Sequence, residues 1–183
     1  MTETMHQAIF AALCACLGLS ASSPEASALI RRAYQEPEPA PAPSRDTDVI
    51  YYDIVPDDAP ADRYQTTAEL TRGTLSEPPR PTVSSFLAFR LHIICYGPHS
   101  ADHAHRIRSF LYLDGPGHAR QLLRSAGIYP VPRPAQPLLL HEEQGSLWRA
   151  RADLTVSLRV TDTRTDPASR NAIHTAPAIT LHR

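Results

Sequence analysis

Two periods of hydrophobicity run through this chain, one helical and one strand-like. From Glu3 to Leu17 the apolar residues Ile9, Phe10, Leu13, Cys16 and Leu17 recur at helical spacing, with Thr2 placed to cap the start and Gly18 to end it. Leu29 to Tyr34 is too short to assign. Val49 to Val55 is rich in β-branched and aromatic residues and predicts a strand, whereas Tyr64 to Leu75 fits either a strand or a helix. The period then becomes strictly two from Phe86 to Tyr96, where Leu87, Phe89, Leu91, Ile93 and Cys95 alternate with Ala88, Arg90, His92, Ile94 and Tyr96. Tyr96-Gly97-Pro98 stops this strand, and Ser100 is placed to cap a helix over Ala101 to Leu113 with Ala104, Ile107, Phe110 and Leu111 on one face. A shorter helix over His118 to Ala126 ends at Gly127, which is suited to the left-handed position after a helix, and Ile128 to Val131 leaves extended. The clearest strand is the last. Trp148, Ala150, Ala152, Leu154, Val156, Leu158 and Val160 point one way, while Arg149, Arg151, Asp153, Thr155, Ser157, Arg159 and Thr161 point the other, so one face is expected to be core and one wet.

Long strands interleaved with amphipathic helices predict an α+β fold. Between the periodic segments lies punctuation. Glu36 to Ser44 (Glu-Pro-Glu-Pro-Ala-Pro-Ala-Pro-Ser) reads as an extended polyproline-like connector, and an acidic, proline-broken excursion continues to Pro81. Beyond Asp162 the chain is polar and proline-broken, with a late apolar patch at Ala178, Ile179 and Leu181. The expected organisation is therefore one domain over residues 1–163, with the excursion at 36–81 inside it, and an extended arm over 164–183.

A chain of 183 residues can bury one ordinary core, which agrees with that organisation. The net charge of −1 conceals an asymmetry: Glu36 to Glu77 carries ten acids against three Arg, and Arg80 to Arg183 carries thirteen Arg against seven acids. Opposite charge on one subunit favours head-to-tail contact between copies. All eighteen basic residues are Arg, which holds interface carboxylates in a bidentate fork that Lys lacks. Cys14, Cys16 and Cys95 are odd in number and lack metal-ligand spacing, so buried free thiols in a reducing compartment are expected. Met1 to Gln7 carries Glu3 and no Lys or Arg, unlike a secretory leader, and no run reaches the roughly 18 to 20 apolar residues of a membrane span. A soluble protein with no membrane partner is expected.

Catalytic patterns are missing from the sequence. There is no glycine-rich phosphate loop, no Cys-x-x-Cys, no His-Glu-x-x-His and no Gly-x-Ser-x-Gly. His99 and His103, four apart with His105 nearby, have metal-ligand spacing, but Asp102 is the only neighbouring acid and falls on another face, so a solvated helix face is the stronger expectation. Glu142 and Glu143 are adjacent rather than opposed, and are expected as solvated loop charges before Gly145. No basic, aromatic-studded groove suggests sequence-specific nucleic-acid binding. No catalytic residue, metal or cofactor is expected, and the protein is expected not to be an enzyme.

Tyr96-Gly97-Pro98, the following helix with Ile107-Arg108, Leu123 through Gly127-Ile128-Tyr129-Pro130-Val131-Pro132, Pro137-Leu138, Glu142-Glu143 and Trp148-Arg149-Ala150-Arg151-Ala152-Asp153-Leu154 form an ordered series. In order and spacing the series, over roughly Phe86 to Val160, resembles the phage neck (tail) terminator family. Residues 36–81 are longer and more acidic than that pattern. The resemblance implies a mixed, mainly antiparallel sheet flanked by helices, and a structural virion protein at the head-tail junction: a homohexameric ring that caps the tail tube protein, docks to a head-completion or connector protein, and lets DNA pass through its lumen without sequence-specific binding.

Several residues suit such contacts. Tyr129, in a stiff loop with prolines at 130, 132 and 134, joins an apolar ring to a polar tip. Arg149, Arg151 and Asp153 share one strand face and are candidates for a polar ladder between subunits, and Ile179 and Leu181 are candidates for docking the arm on a neighbour. The competing expectation, from another functional class, is a soluble small-molecule or peptide-binding module whose sheet cups its ligand. A metal-dependent enzyme using His99, His103 and His105 is a third.

Overall fold

The computed structural model describes residues 2–33, 44, 46–57, 66–70, 81–112, 118–132, 135–144 and 147–165. The connector 36–44, most of the acidic excursion and the arm with Ile179 and Leu181 lie almost wholly outside the described residues.

Two helices open the chain, α1 (Thr2–Leu17) and α2 (Pro24–Leu29). Strands β1 (Ile30–Arg32), β2 (Val49–Pro56), β3 (Thr66–Leu70) and β4 (Pro81–Tyr96) follow. Helices α3 (Ser100–Tyr112) and α4 (Ala119–Ser125) lead to β5 (Ile128–Pro130), β6 (Leu138–Gln144) and β7 (Leu147–Thr165). The fold is α+β. Its seven-stranded sheet runs β1-β2-β4-β7-β5, with β3 added beside the first part of β4 and β6 beside the first part of β7. Among the described residues only β1 and β2 pair in parallel; the other pairs are antiparallel.

Two long strands dominate because both carry the period-two pattern. β4 and β7 stay paired from Thr82↔Thr165 to Tyr96↔Arg151, a ribbon of about 45 Å at strand rise. The register puts Leu91 opposite Val156, Ile93 opposite Leu154 and Cys95 opposite Ala152, and all six are buried. Ile50 and Tyr52 of β2 extend this face. α1, α3 and α4 cover it with Ile9, Leu13, Ala104, Ile107, Leu111 and Leu123, so the core is one layer of helices on one face of the sheet. Among the described residues no helix is long and apolar enough to cross a membrane.

The ambiguous segments resolve on tertiary grounds. Thr66–Leu70 is a strand because β4 extends back to Pro81 and supplies a partner for it. α2 was not anticipated, although its signal is local: the Ser23 hydroxyl accepts from the Ala26 N–H at 3.2 Å and Pro24 occupies the first turn. Glu142 and Glu143, expected in a loop, stand in β6, opposite Arg149 and Trp148 of β7. Gly145-Ser146 between the two runs is a two-residue hairpin signal in the sequence.

The last strand is not wet on one face and buried on the other throughout. Arg149 is 5% exposed, whereas Trp148, on the core-side face, is 60% exposed. The reason lies in the neighbour. β4 ends at Tyr96, opposite Arg151, so residues 147–150 reach past the helix-covered core and only β6 accompanies them.

Candidate assembly surfaces

On the sheet face away from the helices, β4, β6 and β7 bring together Tyr96, Glu142, Arg149, Arg151 and Asp153. Arg151 forks onto Asp153, Nε to Oδ1 at 2.7 Å and a terminal nitrogen to Oδ2 at 2.8 Å, and its other terminal nitrogen donates to Glu142 Oε2 at 2.9 Å. The Tyr96 hydroxyl donates to the same Glu142 oxygen at 2.8 Å. Both guanidinium groups lie against the Tyr96 ring, that of Arg149 at 5.0 Å and that of Arg151 at 5.7 Å. Burial, aided by the bond to Glu142, pushes the Tyr96 phenol up to about 12. The bonds from Tyr96 and Arg151 hold Glu142 below the usual carboxylate range, and the bond to Asp153 keeps Arg151 charged at any accessible pH. Tyr96, Glu142, Arg151 and Asp153 thus bond to one another.

That network alters the reading of the expected ladder. Arg149 is buried, and one terminal nitrogen donates to the carbonyls of Ser44 and Thr47 at 3.1 and 3.2 Å, tying the hairpin to the chain before β2. It is therefore not a solvated residue on an open strand face. Arg151 and Asp153 are half-buried and paired with each other. Tyr129, in β5, stands at the surface, 42% exposed.

The histidines also found an unexpected partner. Asp48, just before β2, accepts from the His99 backbone N–H at 2.9 Å, and its other oxygen lies 2.8 Å from His99 Nδ1 and 3.7 Å from His103 Nε2. The carboxylate missing from the local sequence arrives from fifty-one residues earlier, where it satisfies a backbone donor at the α3 end. The bond to Asp48 raises the His99 pKa. For Asp48 burial acts upward, but the backbone and ring bonds from His99 outweigh it and lower the pKa. Gly97 makes the approach possible: its φ is +108°, and a Cβ there would lie 2.8 Å from Asp48 Cα and 2.9 Å from the Thr47 carbonyl oxygen. His105 is exposed. Among the described residues no three His, Cys, Asp or Glu side chains converge to hold a metal ion. Cys14, Cys16 and Cys95 are free and buried, and burial pushes the thiols of Cys16 and Cys95 up to about 12, far from reactivity.

Among the described residues the exposed large apolar side chains include Val55 in β2 and Phe86 in β4, but most of them stand at the β5 and β6 side of the sheet. Leu122, Tyr129, Leu138, Leu139 and Trp148, between 39% and 60% exposed, belong to α4, β5, β6 and the start of β7. At the opposite edge β1 presents Arg31 and Arg32 beside α1. Two unlike edges, one covered face and a hydrogen-bonded polar network describe a protein whose surfaces are suited to contact rather than to chemistry.

The class is thus a structural assembly protein. The chain belongs to the phage neck terminator protein family, whose pattern matches residues 4–182 and so includes the acidic excursion and nearly all of the arm. It is a tail terminator of the virion neck, working with the tail tube and the other neck proteins, and not an enzyme. No curated protein matches the chain.

Proposed function

We propose that copies of this chain close into a homohexameric ring that terminates the tail tube and joins it to the head-completion or connector protein, at the head-tail junction. The observation that carries this reading is the family match over 4–182, to which the two unlike sheet edges add a physical route: a head-to-tail contact between unlike surfaces closes into a ring when its rotation closes. The chain forms one domain over 1–163, and the arm over 164–183 reaches a neighbouring copy, with Ile179 and Leu181 as its apolar contacts. Tyr129 is a contact residue on the tube or subunit side. DNA passes through the lumen without being read, and the acid-rich stretch from Glu36 to Glu77 favours this where it lines the hole, since like charge keeps phosphates from adhering.

Sedimentation and negative-stain imaging of the full chain, alone and with polymerised tail tube protein, test the proposal. Rings with a central hole, of hexameric mass and stacked at tube ends, are expected. A monomer that neither assembles nor caps tubes would refute it.

A further inference from the structure

The edge opposite the apolar hairpin holds a cavity of about 550 Å³ between α1, α2 and β1. Phe10, Ile30 and Tyr52 give it apolar walls, Arg31 and Arg32 line it beside them, and the His6 imidazole forms part of the wall. His6 is 8% exposed, and its Nδ1 has no hydrogen-bond partner among the described residues. Burial foremost, then the charge of Arg32, hold its pKa below the usual histidine value, so at pH 7 the ring is neutral and offers one nitrogen as an acceptor. A buried polar side chain left in this condition is costly unless something completes it.

At the other edge, the tip of the β6–β7 hairpin presents the opposite shape. Trp148 stands 60% exposed on the helix-side face, the same side of the sheet as the cavity, and exposed Glu143 is its cross-strand neighbour. Leu139 lies on the same face of the hairpin, 57% exposed. An indole is a large apolar plate with a single N–H donor, and Trp is enriched, with Tyr and Arg, among the residues that anchor interfaces in desolvated pockets. The cavity supplies apolar walls, an acceptor, and two Arg for the neighbouring carboxylate.

Resting on the ring proposed above, we infer that Trp148 of each copy enters the His6 cavity of the next, with Glu143 meeting Arg31 and Arg32. The occupant is thus a second copy of this chain. The contact is head-to-tail because knob and hole sit on opposite edges of one sheet. The indole N–H completes the imidazole, the apolar walls take the ring out of water, and the charges orient the approach. Arg32 already pairs with Glu3 at 3.2 Å on the surface, so Arg31 is the more available cation for Glu143.

Three experiments on the full chain test this. Trp148→Ala removes an exposed side chain, so the monomer keeps its circular dichroism and melting temperature while association weakens at least about thirtyfold in sedimentation. Gln7→Cys with Glu143→Cys, on an exposed α1 position at the cavity and on the hairpin, gives disulfide-linked ladders up to the closed ring under mild oxidation; the three native thiols are buried and stay out of the reaction. Arg31→Glu and Glu143→Arg each weaken association, and the two together restore it. Wild-type rings that survive Trp148→Ala and give no ladder overturn this inference and leave the ring standing. Rings that survive Trp148→Ala but no longer cap tubes also overturn it, because the hairpin then serves the tube protein. A wild-type chain that never assembles overturns both readings.

Discussion

Leu154 sits in the helix-covered part of the β4–β7 ribbon, opposite Ile93 and 1% exposed, and Leu154→Asp is the sharpest test of that core layer. Losing the buried leucine forfeits about 1.5 to 3 kcal/mol of transfer energy before any cavity forms. The carboxylate has no cation in that layer, so it stays folded only by taking up a proton. A pKa raised by about 3 units costs about 4 kcal/mol at neutral pH. The total of about 6 kcal/mol or more rivals the whole stability of an ordinary domain, about 5 to 15 kcal/mol. The sign of the pH dependence follows from a folded pKa raised above the unfolded one: the deficit against wild type is smallest near pH 4 and grows as pH rises toward 7. Thr155→Asp, one residue along on the exposed face beside His92, serves as the control and costs within about 1 kcal/mol. Thermal and urea unfolding by circular dichroism at pH 4.5 and 7 measure both. Equal losses at 154 and 155, or a deficit for Leu154→Asp that shrinks as pH rises, would refute the register and the one-sided core.

Gly97→Ala is expected to cost at least about 2 kcal/mol in urea unfolding, from left-handed strain and the clash with the chain at Thr47 and Asp48. Glu142→Gln should cost under about 1 kcal/mol at neutral pH, because that carboxylate is partly exposed. Its folded pKa is depressed, so the wild-type advantage is present above the unfolded carboxylate pKa and fades as pH falls through the folded value, which a stability-versus-pH series checks. His99→Gln with His103→Gln and His105→Gln should leave fold and assembly unchanged, and stoichiometric zinc or iron by elemental analysis of the wild type would contradict that. Removing the residues after Asp166 should weaken the ring, and raising salt from about 0.05 to 0.5 M, which shortens screening from about 14 to about 4 Å, should slow assembly more than it dissociates rings. Sedimentation decides both, and salt-insensitive assembly or intact truncated rings would reject them.

Elements whose determinants are local could be read from the sequence. The alternation in Phe86–Tyr96 and Trp148–Thr161, the spacing of Ile9 and Leu13, and Gly127 after its helix each carry their own instruction, and each matches the structure. So did the α+β class, which follows from where those periods change. Identity at the family level was legible in the ordered series from Tyr96 to Leu154. What only the tertiary structure decided depends on chain far away in sequence. Whether Arg149 is wet depends on where β4 stops and on the carbonyls of Ser44 and Thr47. Whether His99 has a carboxylate depends on Asp48, because hydrogen bonds and burial are set by proximity in space, which no window of sequence contains. The cavity around His6 is of the same kind: α1 and β1 each look ordinary alone, and the hole exists only because the sheet places β1 at its edge beneath the helix.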